Sequence, residues 1–339
     1  MKKIAQLRRL IGLYGSYNAK KSRNIPAPIR LWIEPTSHCN LRCIMCLNKD
    51  LAKDEKGFMD FNVFKKIIDE ASGFTHDVNL FHRGESLLHP EIFRMIKYAK
   101  KKGLYTRLNT NATLLNEERS RQILHSGLDF LSFSFDGYER KVYEDIRMGA
   151  NFDKTLNNIL DFLSVKKKLA KSIPYTTFTI IEFSDCSSSE GKGKIKKEFK
   201  RKFDSLPLDQ FVVRKPHNWA GGYDVKEFTS NKGPIRCTFP WYSLTIFWDG
   251  SVLPCPQDFH GKLILGNVKD SSLLEIWNGP KEILLRENLS GQQHKNVVAC
   301  DRCDRPGRKK ILGIPIAELG RFLKDNVVGY NKTVRKVLR

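Results

Sequence analysis

Six short strand-like runs, each followed by a helical or polar stretch, fill residues 31–214, and this alternation limits the fold more than any other feature of the chain. The runs are LWIEP (31–35), VNLFH (78–82), YTRLNTN (105–111), LDFLSFSFD (128–136), PYTTFTIIEF (174–183) and LDQFVVR (208–214). Helical patterns lie between them at 60–72, 90–102, 116–126, 139–147 and 152–168. Strands spaced by crossover-length helices argue for a parallel α/β sheet. Right-handed crossovers bring the strand C-termini to one end, where ligands bind in parallel sheets and barrels.

Outside that series the pattern changes. The first thirty residues are basic and helical in pattern, ending at IPAPIR. The polar stretch 184–197 reads as a loop entering a basic helix. Beyond about 230, LTIFWDGSVLPC (244–255) reads as a β-hairpin turning at Asp249-Gly250, with short helices expected at 272–277 and 280–289. Gly221, Gly222 and Gly233-Pro234 punctuate a boundary near 220–235. The expected units are 1–30, 31–230, 231–310 and a basic helical tail at 311–339. No run of 18 apolar residues occurs, so no transmembrane helix is expected, and the N-terminus lacks the apolar core of a signal peptide. The expected location is cytoplasmic.

The net charge of +22 implies an anionic partner. Its clusters fall in the N-terminal segment, Lys166–Lys168, Lys192 to Lys202, Arg308–Lys310 and the tail. The plain reading of these clusters is solvated faces. IAQLRRLIGLYGSY and IAELGRFLKDNVVGY also place apolar residues at helical spacing among cations. Such helices either contact an anionic membrane peripherally or cap the sheet, and capping is the expectation.

Eight cysteines divide three, four and one. Cys39, Cys43 and Cys46 lie just after the first strand; Cys237, Cys255, Cys300 and Cys303 lie near and beyond the hairpin; Cys186 stands alone in the polar loop as an expected free thiol. Without a secretory signal a disulfide framework is not expected. Three thiolates on one short loop can hold three irons of a cubane cluster and leave the fourth open. The alternative is structural zinc, with His38 as fourth ligand of the first set, or the four later cysteines as a complete set.

The Cx3Cx2C triad after the first strand resembles the radical SAM superfamily, and further elements in order share that resemblance. Arg83-Gly84-Glu85 is similar to the family's GGE motif, departing at Arg83. Asn109-Thr110-Asn111 resembles its TNG element. Ser132, Ser134 and Asp136-Gly137 end the fourth strand, where relatives contact the ribose, and Arg147 matches an arginine that meets the methionyl carboxylate. Met45 stands where relatives carry an aromatic residue against adenine. The resemblance implies a partial (β/α)6 parallel barrel with a small C-terminal β-hairpin/α cluster-binding domain. It also implies a [4Fe–4S] cluster on Cys39, Cys43 and Cys46. S-adenosylmethionine would be bound through Gly84, Glu85, Asn109, Ser134, Asp136, Arg147 and Met45, with an electron donor such as flavodoxin or ferredoxin. The bound S-adenosylmethionine would be cleaved to a 5′-deoxyadenosyl radical that abstracts a substrate hydrogen.

CTFPWYSLTIFWDGSVLPCPQDF and Cys300-Asp-Arg-Cys303 resemble the SPASM/twitch modules of such enzymes, implying one fully ligated auxiliary [4Fe–4S] cluster. A cluster without an open iron suits electron transfer, hence a two-electron oxidation of a small, anionic molecule, sugar-like or phosphorylated. Asp258 is the candidate base, while Arg214 and His217 are candidates to bind an anionic group, and Trp219 and Trp241 are expected to pack at the domain junction. The alternatives are a peptide-modifying maturase and, with less support, a non-enzymatic iron–sulfur protein. Nucleic acid is not favoured as partner.

Overall fold

The computed structural model describes residues 2–183, 192–224 and 236–305, together with 310–311 and 314–315. Cys186 and residues 312–313 and 316–339 of the expected tail lie outside the described residues; where the tail is described, Lys310–Ile311 pairs antiparallel with Ile314–Pro315, so its start is strand and not the expected helix. Helix α1 (Lys2–Asn18) precedes strand β1 (Arg30–Ile33). Then follow α2 (Phe61–Ala71), β2 (Asp77–Asn79), α3 (Ile92–Lys101), β3 (Tyr105–Thr110), α4 (Glu117–His125) and β4 (Phe130–Ser134). The chain continues with α5 (Arg140–Ile146), α6 (Phe152–Lys168), β5 (Tyr175–Ile181), α7 (Lys192–Arg201) and β6 (Gln210–Arg214). Strands β7 (Ser243–Ile246), β8 (Ser251–Leu253) and β9 (Gly266–Asn267) precede α8 (Leu273–Trp277) and α9 (Pro280–Ser290).

Six parallel strands run in the order β6-β5-β4-β3-β2-β1, an open sheet consistent with a partial barrel. The hairpin forms where expected. Gly250 takes the left-handed φ of +93° that its turn requires, beside an Asn267 side chain that would stand 2.7 Å from an added Cβ. The hairpin is not separate from the sheet, however. Its first strand pairs in parallel with β1, Arg30 opposite Ser243 through Ile33 opposite Ile246, and β8 and β9 extend the same sheet antiparallel. Adjacent apolar strands at a bare sheet edge pair readily, a relation that spacing along the chain does not reveal.

Alternation along each strand sorts the two faces. Leu31, Val78, Leu108, Leu131, Phe133 and Phe178 point to the helices and are fully buried. Phe133 meets Phe162 of α6 at 5.4 Å, and Phe178 meets Phe135, Phe199, Phe203 and Phe211 at 5.1–5.5 Å. The opposite face is mixed: Asn79, Asn109, Ser132, Ser134, Thr177 and Thr179 share it with Trp32, Arg107, Phe130 and Tyr175. Phe130 stacks on Tyr175 toward the start of the strands, and the amides and hydroxyls lie toward their C-terminal ends.

Caps fix the helix starts. Asp60 accepts from Asn62 and Val63 at α2, Asn116 and Asn151 cap α4 and α6, and Ser272 and Glu275 form a capping box at α8. Lys166 corrects the reading of its cluster as a solvated face. It is 2% exposed, with Nζ 3.1 Å from Asp209 and 3.2 Å from both Thr176 Oγ1 and Pro207 O. Three oxygens compensate the buried ammonium. Lys167 and Lys168 remain exposed. In α1, Leu13 and Tyr17 are buried, and Tyr17 packs edge-on to Trp241 and donates to Arg236 O. That face is spent on packing. Among the described residues, no helix is long and apolar enough to cross a membrane.

Phe178→Ala empties the centre of the aromatic cluster. It is expected to destabilise the protein by about 3–5 kcal/mol in chemical denaturation; a loss under about 1 kcal/mol would contradict this packing.

Candidate functional site

The triad loop leaves the C-terminal end of β1 and closes on itself, Cys46 N donating to Cys43 O at 3.1 Å. It is pinned from outside by Arg42 N to Met148 O and Ile44 N to Ile146 O, both 3.0 Å. Burial, then Glu85 and Cys43, push the Cys39 thiol up to about 11; burial, then Cys43 and Cys39, push that of Cys46 to about 12; Cys43 is raised by burial and by Asp136, with Arg147 opposing. Three crowded thiols that resist ionisation alone become stable thiolates when iron supplies positive charge. The donor set therefore fits an iron–sulfur cluster.

The loops after β2 and β3 meet this loop through Glu85. Its carboxylate, entirely buried, accepts from Leu87 N (3.1 Å), Thr110 Oγ1 (2.8 Å) and Asn111 N (2.7 Å). Burial raises its pKa, and these donors work against the rise. Its own N–H donates to His38 O at 2.9 Å. Asn111 then reaches Asn40 Oδ1 at 2.9 Å, and Asn48 donates to Ser37 O and Arg83 O. Gly84 sits where an added Cβ would stand 2.3 Å from Thr36 O and 2.5 Å from His38 O. No side chain fits between those two backbones.

Arg147 and Asp136 form a buried ion pair at 2.6 Å, while Asp136 Oδ1 accepts from Ile181 N. Burial opposes the Arg147 cation, but Asp136 and then Cys43 hold it charged, and Nη1 lies 4.0 Å from Cys43 Sγ. Met45 is buried beside Cys43, and Asn109 and Ser134 are half-buried at the ends of their strands. Ser132 Oγ pairs with Thr179 Oγ1 at 2.9 Å, on the same face of the sheet.

The second set also gathers. The Cys255 thiol is pushed well up by burial and then by Cys237 and Cys303; Cys300 is raised by burial and by Cys255, Cys237 and Cys303; Cys303 goes to about 12 by burial and Cys237. Among the described residues no three His, Cys, Asp or Glu are arranged to hold a single metal ion. Both sets are all-thiol donors, three on one loop and four around the hairpin turn, the donor chemistry of iron–sulfur clusters. Asp258 is buried, its oxygens accepting from Lys262 N (2.9 Å) and Leu263 N (2.8 Å), so it holds the turn after Cys255. His217 packs tilted against Trp219, ring centroids 4.2 Å apart, and Arg214 is exposed at the end of β6.

Sequence reasoning missed Glu34 and His82. Glu34 has no exposure, and Arg83 grips both its oxygens, Nε at 2.7 Å and Nη2 at 2.8 Å. Burial would raise this carboxyl, but the hydrogen bonds and charges of Arg83 and His82 hold it down at about 2. The Arg83 guanidinium lies 3.6 Å over the Phe247 ring. His82 spans Glu34 (3.3 Å) and Pro256 O (2.9 Å), next to Cys255. A charged residue ending an apolar strand, with an arginine where a glycine was expected, was the available signal.

Residues 33–180 match the model of the radical SAM superfamily, and residues 237–304 that of an iron–sulfur cluster-binding domain, SPASM. The chain is 25% identical to a tungsten-containing aldehyde ferredoxin oxidoreductase cofactor-modifying protein of Pyrococcus furiosus, over 81% of this chain and 88% of the relative. It is 21% identical to an S-adenosyl-L-methionine-dependent 2-deoxy-scyllo-inosamine dehydrogenase of Niallia circulans, over 80% and 91%. Among solved structures, SuiB of Streptococcus suis bound to precursor peptide SuiA superposes with a TM-score of 0.63 at 16% identity, over 79% of this chain and 69% of that one.

Gly84→Ala is expected to force the 36–38 and 83–85 segments apart, lowering both the thermal midpoint and iron retention of the reconstituted protein. Unchanged values for both would contradict the contact.

Proposed function

The chain belongs to the radical SAM superfamily and is an enzyme with a SAM-binding [4Fe–4S] cluster and a SPASM domain; on that footing we propose that it oxidises a small, polar, oxygen-rich substrate by two electrons. The observation that carries the substrate class is the run of polar side chains, Asn109, Ser132, Ser134, Thr177 and Thr179, toward the C-terminal ends of β3, β4 and β5. Such groups offer donors and acceptors to hydroxyl or phosphate groups. The likeness to the 2-deoxy-scyllo-inosamine dehydrogenase supports the same reading. The strongly basic chain suits an anionic substrate.

When bound, the cluster and S-adenosylmethionine supply a carbon radical able to take a hydrogen atom from the substrate. The chain's own part is positioning and charge. In this proposal Cys39, Cys43 and Cys46 hold three irons. Gly84 brings its backbone against the cysteine loop, and Glu85 fixes the loops after β2 and β3. Asn109, Ser134, Met45 and the Arg147–Asp136 pair line the site for S-adenosylmethionine. Cys237, Cys255, Cys300 and Cys303 hold a cluster able to accept the substrate's second electron. A reductant such as flavodoxin or ferredoxin would supply the electron spent on S-adenosylmethionine, and the oxidised form of such a carrier would take back the electron collected by the second cluster, with the substrate's proton released to solvent or a nearby base. The second reading, a peptide substrate, rests on the likeness to the peptide-bound SuiB.

Anaerobically reconstituted protein with dithionite and S-adenosylmethionine is expected to release 5′-deoxyadenosine. Cys39→Ala should reduce release to background, and Cys255→Ala should keep it. Full release from Cys39→Ala would refute the assignment. A panel of phosphorylated and nucleotide-linked sugars should accelerate release; acceleration by precursor peptides alone would turn the reading to peptides.

A further inference from the structure

After β6, the last strand of the parallel series, the chain enters an unusual stretch of backbone. Trp219, Ala220 and Gly221 have φ of +46°, +54° and +86°. Left-handed backbone costs about 1–2 kcal/mol per residue for anything but glycine. It persists only where the surroundings impose it.

Those surroundings lie in two directions. Toward the first cysteine loop, Trp219 Nε1 donates to Met45 O at 3.1 Å, the carbonyl just before Cys46. Gly222 lies so close to the residue after Cys46 that an added Cβ would stand 2.6 Å from Leu47 Cδ1. Toward the second loop, Asn218 Nδ2 donates to Arg302 O at 2.6 Å, and its Oδ1 accepts from Asp304 N at 3.1 Å. These two groups flank Cys303. An added Cβ on Gly221 would meet Arg302 Cβ at 2.4 Å. The segment also braces itself, Gly221 N and Tyr223 N both donating to Asn218 O at 2.9 and 3.0 Å.

We propose that residues 218–222 are a strut fixing the two cysteine loops relative to one another, with Trp219 and Asn218 as its positioning residues. This rests on the reading that each loop holds a cluster. Both ends of the strut grip main-chain groups adjacent to ligating cysteines, so its geometry passes directly to the sulfurs. A tryptophan that merely packed would need neither the indole hydrogen bond nor the left-handed backbone. The Trp219 ring also meets Phe259 at 5.0 Å, edge to face, which steadies it from the side of the Cys255 turn.

The test reads the magnetic interaction between the two reduced clusters in the reconstituted full chain, by electron paramagnetic resonance. Trp219→Phe keeps a ring and deletes the N–H; Asn218→Ala deletes the grip on Arg302 and Asp304. Both are expected to shift the inter-cluster splitting or relaxation while iron content stays that of the parent. Each cluster's own signal, read in proteins whose other cysteine set is replaced by alanine, should be unchanged by either substitution. Gly221→Ala should move the interaction as well. An unshifted interaction in both Trp219→Phe and Asn218→Ala would overturn the strut. A parent protein showing a single cluster signal would instead remove the reading beneath it, a failure visible before any variant is made.

Discussion

The buried carboxylate of Glu34 is the interaction on which the rest of the site depends. It ends β1 immediately before the triad loop and is gripped by Arg83 from the loop after β2. Through His82 it is tied to the carbonyl of Pro256, beside Cys255. Removing one partner of such a buried, hydrogen-bonded pair costs about 3–5 kcal/mol. The pair therefore persists, and the ends of two neighbouring strands are locked to the turn that follows the hairpin. The parallel pairing of β7 with β1 does the same through the backbone. The triad loop and the Cys255 turn are thus attached to one sheet.

Within that frame the polar groups divide by task. Glu85 consumes its lone pairs in holding the loops after β2 and β3. Asp136 is spent on Arg147 and Ile181 N. Of the polar groups below, Asn79 bonds Leu31 O and Ser132 bonds Thr179, while Asn109 and Ser134 stand half-buried at the strand ends. A frame built of buried charges and short backbone contacts favours catalysis by positioning.

Much of this was legible in the chain. The six-fold alternation identified the six strands of the series β1–β6, because period-2 runs and helical stretches differ clearly, but not the parallel pairing of β7 with β1. The hairpin followed from Asp249-Gly250, and the triad with Gly84-Glu85 marked the first site. What could not be read was spatial. Lys166 looked like one of three surface lysines, and only the approach of Asp209 from the start of β6 accounts for its burial. Arg83 looked like a flaw in a motif, yet Glu34, distant in sequence, gives it a partner. Trp219 looked like junction packing, and its bond to Met45 O joins residues 174 positions apart. Asp258 stood out by nearness to Cys255, but its contacts are with the turn it closes.

The central claim is that one chain holds two four-iron clusters, of which only the first has an open iron. Iron and zinc analysis of the reconstituted protein, joined to electron paramagnetic resonance with and without S-adenosylmethionine, tests it directly. The account predicts about eight irons per chain, no zinc, and two signals of which S-adenosylmethionine alters one. About four irons with one zinc, or a single signal, would contradict it.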